Sequence, residues 1–199
     1  TSYILGEQQG WDQVVTMDMG GTSCDIAFIR DSKPLEVTEG MIGERRLDVP
    51  AFDISTISAG GGTIARLTAA NFISVGPDSA GADPGPICYG NGGDRPTVTD
   101  ADLVCGYLNP EFLLGGETGL DRNRAVAAIK NIIAEPMELS VEESAAGIVR
   151  LINARMADEI RVQAAKKVID LGSFTLVPFG GAGPVHAAMV ADELNIPRI

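Results

Sequence analysis

Between residue 14 and about residue 118 the apolar positions come in short runs broken by glycine and proline, a pattern that predicts strands and hairpins. "VVTMDM", "CDIAFI", "FDISTIS", "TIARLT" and "NFISVG" read as strands joined by turn-rich loops. From Leu120 onward the period becomes helical. Asp121 is placed to cap a helix through "NRAVAAIKNIIAE", where Ala125, Ile129, Ile132 and Ile133 form one apolar stripe and Pro136 stops it. Ser140 and Glu143 have the spacing of a capping box and open a second helix, whose stripe is Ile148, Ile152, Met156 and Ile160. That helix is expected to run to Gly172, a rod of roughly 45 Å at 1.5 Å per residue. "FTLVPF" then reads as a strand, "GGAGP" as a glycine turn, and "VHAAMVADELNI" as a helix with Pro184 at its first position. "NIPRI" reads as the start of another buried strand, so a longer parent polypeptide is expected.

Composition adds bounds to this picture. A chain of 199 residues that is 45% hydrophobic can bury a sizeable core. The formal net charge of −12 and the lack of any large Lys/Arg cluster argue against nucleic acid, because polynucleotide binding needs a basic surface to release counterions. A small phosphate ligand stays compatible with an acidic chain, since backbone amides and a metal ion neutralise it locally. No apolar run approaches the roughly 20 residues needed to span a bilayer, and "TSYILGEQQGWDQ" lacks the regions of a signal peptide. A cytoplasmic protein with no membrane partner is expected. Cys24, Cys88 and Cys105 are odd in number and form no CxxC pair, so they read as reduced, buried thiols. His186 is the single histidine, which excludes a multi-histidine metal site, and it reads as a packing residue on a helix face.

Three glycine-rich turns carry the candidate chemistry. In "VVTMDMGGTSCDIAFI" a hairpin could need glycine only for positive φ, but Asp18 before Gly20-Gly21-Thr22-Ser23 is a more demanding arrangement. The glycines admit an anion to backbone amides, the Thr22 and Ser23 hydroxyls donate to phosphate oxygens, and Asp18 can hold hydrated Mg²⁺. "FGGAGPVHA" offers amides at a helix N-terminus through Gly180, Gly181 and Gly183, though its spacing is not that of a dinucleotide fingerprint. "ISAGGGTIARL" places Gly60, Gly61 and Gly62 where a ligand or a neighbouring backbone approaches closely. The long loop from Val75 to Leu103 carries Asp78, Asp83, Asp94, Asp100 and Asp102 and reads as a surface excursion or a bearer of functional groups.

Taken in order, "DMGGTSCDIAFI", "DISTISAGGGTIARL", "VGPDSAGADPGPICYGNGGDRPTVTDADLV", "LSVEESAAGI" and "PFGGAGPVHAA" resemble the hydantoinase A and 5-oxoprolinase family from Val14 to Ile196. The resemblance implies an α/β, ribonuclease H-like domain of the actin, sugar kinase and heat-shock 70 superfamily, forming one half, the C-terminal one, of a two-lobed ATPase. Residues 1–199 would be a single domain, with the phosphate-loop hairpin in 14–118 and the adenosine-side loop in 119–199. Asp18 to Thr22 would be the second phosphate loop, with a first one upstream of Thr1. Two departures accompany the likeness. Ser55 stands where the family pattern has histidine, and "KKVIDLGS" replaces an acidic turn containing arginine and glycine.

The implied function is the nucleotide-binding half of an ATP-dependent cyclic amide hydrolase, N-methylhydantoinase A-like, opening a hydantoin or 5-oxoproline-like ring. ATP and Mg²⁺ are the implied cofactors. Asp18 would be catalytic and hold Mg²⁺ through water, while Gly20, Gly21, Thr22, Ser23, Gly60 to Gly62, Gly180, Gly181 and Gly183 would contact the nucleotide. A hydantoinase B-type subunit or domain is the implied partner, with self-association also expected. The alternatives are the ATPase subunit of an acetone or acetophenone carboxylase and a nucleotide-binding module without turnover.

Overall fold

The computed structural model describes residues 2–38, 40–42, 45–47, 49–112 and 119–199. The stretch 113–118, which closes the expected strand-and-loop part, lies outside the described residues. In chain order the elements are α1 (Ser2–Gln9), β1 (Val14–Met19), β2 (Cys24–Arg30), β3 (Lys33–Pro34), β4 (Glu36–Val37), β5 (Gly40–Ile42), β6 (Arg45–Leu47), β7 (Ala51–Phe52), β8 (Ile54–Ile57), β9 (Thr63–Leu67) and β10 (Ile73–Ser79). They continue with α2 (Val98–Val104), α3 (Arg122–Ile129), α4 (Glu135–Met137), α5 (Val141–Lys166), β11 (Thr175–Phe179) and α6 (Gly183–Leu194).

The main sheet is mixed, in the order β11-β1-β2-β3 with β8 also on β2. β1 lies inside the sheet, between β11 and β2. Val15, Met17 and Met19 point into the large core with α5 and α6, while Val14 joins Ile29 and Val177 on the other face, covered by Leu5, Trp11 and Phe179. β1 pairs antiparallel with β2 and parallel with β11, from Val14↔Thr175 to Asp18↔Phe179. A parallel pair needs a crossover, and α5 lies within that long connection. The expected strands "TIARLT" and "NFISVG" form a separate antiparallel pair, β9 with β10. At the far end of the chain, Arg198 makes a single parallel bridge to Thr175.

α5 begins with the expected box: Glu143 N–H donates to Ser140 Oγ at 3.1 Å and Ser140 N–H donates to Glu143 Oε2 at 2.9 Å. Hydrogen bonds from Ser140, its hydroxyl first, hold the Glu143 carboxyl below the usual range. Ile148, Ile152, Met156 and Ile160 are all fully buried. The helix ends at Lys166, short of Gly172. Val168 takes the left-handed position with φ 54°, and Ile169 N–H reaches Ala164 C=O at 2.9 Å, closing a Schellman motif without glycine. Gly172 lies instead in a single 3₁₀ turn, Leu171–Ser173. Val168 is 91% exposed, so its side chain adds strain and no packing. Val168→Gly is therefore expected to raise stability by about 1 kcal/mol, read as a higher midpoint in urea with an unchanged slope.

Pro136 does not stop the helix that Asp121 caps. The chain widens into a π turn over Lys130–Ala134, which accommodates the proline ring, and helical geometry continues through α4 to a left-handed Glu138. This rotation leaves Ile132 38% exposed, so the buried stripe is Ala125, Ile129 and Ile133. The glycine- and proline-rich loop also contains a helix that strand-and-loop reasoning missed. α2 is capped by Thr97, whose Oγ accepts from Asp100 N–H. Asp100 is fully buried and its carboxylate accepts from the amides of Ile87, Cys88 and Thr97 at 3.2, 2.8 and 2.9 Å, pinning the loop to the helix. Among the described residues, no helix is long and apolar enough to cross a membrane.

Candidate functional site

The β1–β2 turn opens onto a cavity of about 670 Å³. Its lining joins the backbone of Gly20, Gly21, Thr22, Gly61, Gly62 and Gly81 with the apolar side chains of Pro86, Tyr89, Leu108, Ala182 and Val185. Gly20 and Gly21 do not take positive φ, so the hairpin does not need glycine for backbone reasons. A Cβ added to either would meet nothing within 4 Å. Their bare Cα atoms face open space, as a surface approached by a ligand requires. Their carbonyls are turned away from the cavity, accepting from the amides of Gly61 at 3.0 Å and Gly62 at 2.7 Å. Gly20 N–H closes the turn onto Ser23 C=O, while among the described residues the amides of Gly21 and Thr22 donate to no backbone carbonyl.

The remaining glycines divide by role. Gly61, Gly62 and Gly181 line the cavity. Gly60 lies behind it, where a Cβ would stand 2.5 Å from Gly21 C and Thr22 N. Gly180, at φ 77°, lies against the end of β1, and a Cβ there would stand 2.6 Å from Met19 C and 2.8 Å from Asp18 Oδ1. Gly183 is buried at the start of α6 against Met17 C=O. Ser23 is half-buried and is not part of the cavity wall. Three distant segments thus meet backbone to backbone: the β1–β2 turn, residues 60–62 and the β11–α6 turn.

Asp18 is exposed at the end of β1, directly across the strand pair from Asp25. Thr56 Oγ1 donates to Asp25 Oδ1 at 2.6 Å, and among the described residues neither carboxylate is paired with a basic side chain. Like charges facing each other on adjacent strands cost stability, and neither aspartate is part of the cavity wall. The field of the pair is felt by Cys24, whose thiol is pushed up to about 12 by burial first and then by Asp25 and Asp18. Ser55 faces α5: its Oγ donates to Glu159 Oε1 at 2.9 Å and accepts from Gln163 Nε2 at 3.1 Å.

Sequence reasoning missed the part that α2 and His186 play at the cavity. Asp102, near the end of α2, lines the cavity, and Thr99 beside it donates to Gly61 C=O at 2.9 Å. His186, in the second turn of α6, is buried as expected but is more than packing. Its Nδ1 lies 2.8 Å from Asn153 Oδ1, and its Nε2 lies 3.4 Å from Asp102 Oδ2. Only the Thr97-x-x-Asp100 capping signal hinted at a helix there.

The class is a mixed α/β domain whose glycine turns line one cavity. The chain belongs to the hydantoinase/oxoprolinase family, whose model matches residues 2–199. Over 195 residues it is 44% identical to caprolactamase subunit alpha of Pseudomonas jessenii, spanning 96% of this chain and 28% of that protein. The crystal structure of the ATP-dependent caprolactamase from the same organism superposes with a TM-score of 0.88 at 42% identity, covering 97% of this chain and 28% of that one. Nucleotide-free acetone carboxylase, from a study of ATP-dependent acetone carboxylation, superposes with a TM-score of 0.89 at 36% identity, covering 98% and 28%. The chain therefore spans less than a third of the relatives it matches.

Proposed function

We propose that this chain is the nucleotide-binding half of an ATP-dependent cyclic amide hydrolase, built as one lobe of an actin-like, ribonuclease H-type ATPase. The observation that carries this reading is the pair Gly20 and Gly21, glycines that neither backbone conformation nor internal packing demands and whose Cα atoms face the cavity. The amides of Gly21 and Thr22 and the Thr22 hydroxyl would hold phosphate oxygens, with Gly61, Gly62 and Gly181 allowing the nucleotide close passage. Ser23 stands beside them as a further hydroxyl, and Gly60, Gly180 and Gly183 support the two turns from behind.

The exposed Asp18 carboxylate, with Asp25 opposite, has the hard oxygen donors that suit Mg²⁺, held by Asp18 through water. Bound there, Mg²⁺ would neutralise charge on the phosphates. The chain's own contribution is positional: rigid amides and carboxylates placed where charge develops as the terminal phosphoryl group passes to the amide oxygen, making the ring carbon open to water. A hydantoinase B-type subunit or domain would complete the substrate site.

The test is ATP cleavage by the full-length protein with its native partners, challenged with hydantoin, 5-oxoproline and caprolactam. Stimulation by one of these rings is expected, and no stimulation by any ring would sink the reading. A second reading, the ATPase subunit of a ketone carboxylase, is favoured by the likeness to acetone carboxylase. It requires bicarbonate-dependent cleavage stimulated by acetone or acetophenone instead.

A further inference from the structure

Two adjacent buried polar atoms have no hydrogen-bond partner among the described residues: Oδ1 of Asp102, on the cavity wall, and Nε2 of His186 beside it. Both side chains are almost wholly buried, at 3% and 0% exposure. Leaving such atoms unsatisfied is costly, and in a native protein each instance has a reason. The arrangement around them supplies one. Asn153 Nδ2 donates to Met189 Sδ at 3.2 Å, and turning the amide over would set its oxygen against the sulfur lone pairs. Asn153 Oδ1 therefore faces His186 Nδ1, which carries a hydrogen and donates at 2.8 Å. That fixes the ring and points Nε2 toward Asp102 Oδ2 at 3.4 Å, a contact that leaves Nε2 and the other carboxylate oxygen, Oδ1, without a hydrogen bond. Asp102 thus stands on the cavity wall with one buried oxygen that no group of the described residues satisfies.

From this we infer that Asp102 is a ligand-reading residue: its free oxygen takes one neutral hydrogen-bond donor from the nucleoside end of the bound nucleotide. The donor is either an exocyclic amino group of the base or a ribose hydroxyl. The inference rests on the nucleotide reading above and deepens it. Asp102 shares the cavity with the apolar side chains of Tyr89, Leu108 and Val185, and the glycine turns that would take the phosphates line the same cavity. A carboxylate set in apolar surroundings rejects a ligand that lacks its donor far more strongly than an apolar wall rejects a shape.

The experiment is equilibrium binding to the full-length protein, followed by calorimetry, with ATP, purine riboside 5′-triphosphate, 2′-deoxy-ATP and 3′-deoxy-ATP. One of the three analogues is expected to bind wild type roughly 10- to 100-fold more weakly than ATP, the loss of one hydrogen bond to a charged group. Loss with purine riboside triphosphate identifies the base amino group, and loss with a deoxy analogue identifies the ribose. Asp102→Ala is expected to bring ATP down to the level of that analogue and to abolish the difference between them. Asp102→Asn, whose amide nitrogen donates to His186 Nε2 while its oxygen still accepts, is expected to keep the discrimination. Equal binding of all four nucleotides to wild type overturns this inference and leaves the nucleotide reading standing, a result that needs no variant to fold. Absence of binding by any of them overturns both.

Discussion

Asp18→Asn in the full-length protein is expected to cut ATP turnover on the order of 10²- to 10³-fold, the scale of removing one preorganised electrostatic group from a reacting centre. The fold should not suffer. Asp18 and Asp25 are cross-strand neighbours, and their mutual repulsion disappears when one becomes neutral. Stability is therefore expected to stay level or rise by roughly 0.2–1 kcal/mol, the range for a cross-strand pair. A purely structural Asp18 would give the opposite result, falling stability with turnover tracking the folded fraction. Parallel urea melts and steady-state ATPase rates separate the two, and unchanged turnover at full stability would remove Asp18 from the site.

The second large effect belongs to Gly180. Alanine there is strained by the positive φ, about 1–2 kcal/mol, and its Cβ is driven into the end of β1, where overpacking costs about 1–3 kcal/mol more. Because the obstacle is the Met19 backbone and the Asp18 carboxylate, the turn must move, and a loss of nucleotide affinity is expected with the loss of stability. Gly20→Ala and Gly21→Ala are the contrast. Their added methyl groups meet nothing within 4 Å, so stability should change by less than about 0.5 kcal/mol while nucleotide affinity falls. If affinity survives both cavity-side substitutions, Gly20 and Gly21 do not form a phosphate cradle.

Local signals made part of this molecule legible in the sequence. The β1–β2 hairpin announces itself by two apolar runs around a glycine turn, and α5 by its capping box and a buried stripe with helical period. Both are encoded within a few residues. The end of α5 was not legible, because Val168 accepts a conformation that glycine usually fills, held there by its own amide bonded to Ala165 and by that of Ile169 bonded to Ala164. The course of the helix at Pro136 depended on a π turn that no local signal marks. Of the five aspartates in the long loop, composition could not tell Asp100, a buried pin for backbone amides, from Asp102 on the cavity wall, or from Asp78, paired at the surface with Arg66. The His186–Asp102 contact spans α6 and α2, elements that meet only in the folded chain. The glycine turns were visible as motifs, and their division into cavity-facing and load-sharing positions needed coordinates.

The parallel pairing of β1 with β11 also fixes when the cavity comes into being. Val14 and Thr175 are neighbours in space but about 160 residues apart along the chain. At synthesis rates of about 5–20 residues per second, the first hairpin waits roughly 8–30 seconds for the strand that flanks it. During that time the edge of "VVTMDM" is a bare apolar template for any other strand. Loop closure between such distant segments is slow, so the turns that line the cavity are expected to assemble last. The nascent chain is most vulnerable to aggregation before β11 arrives.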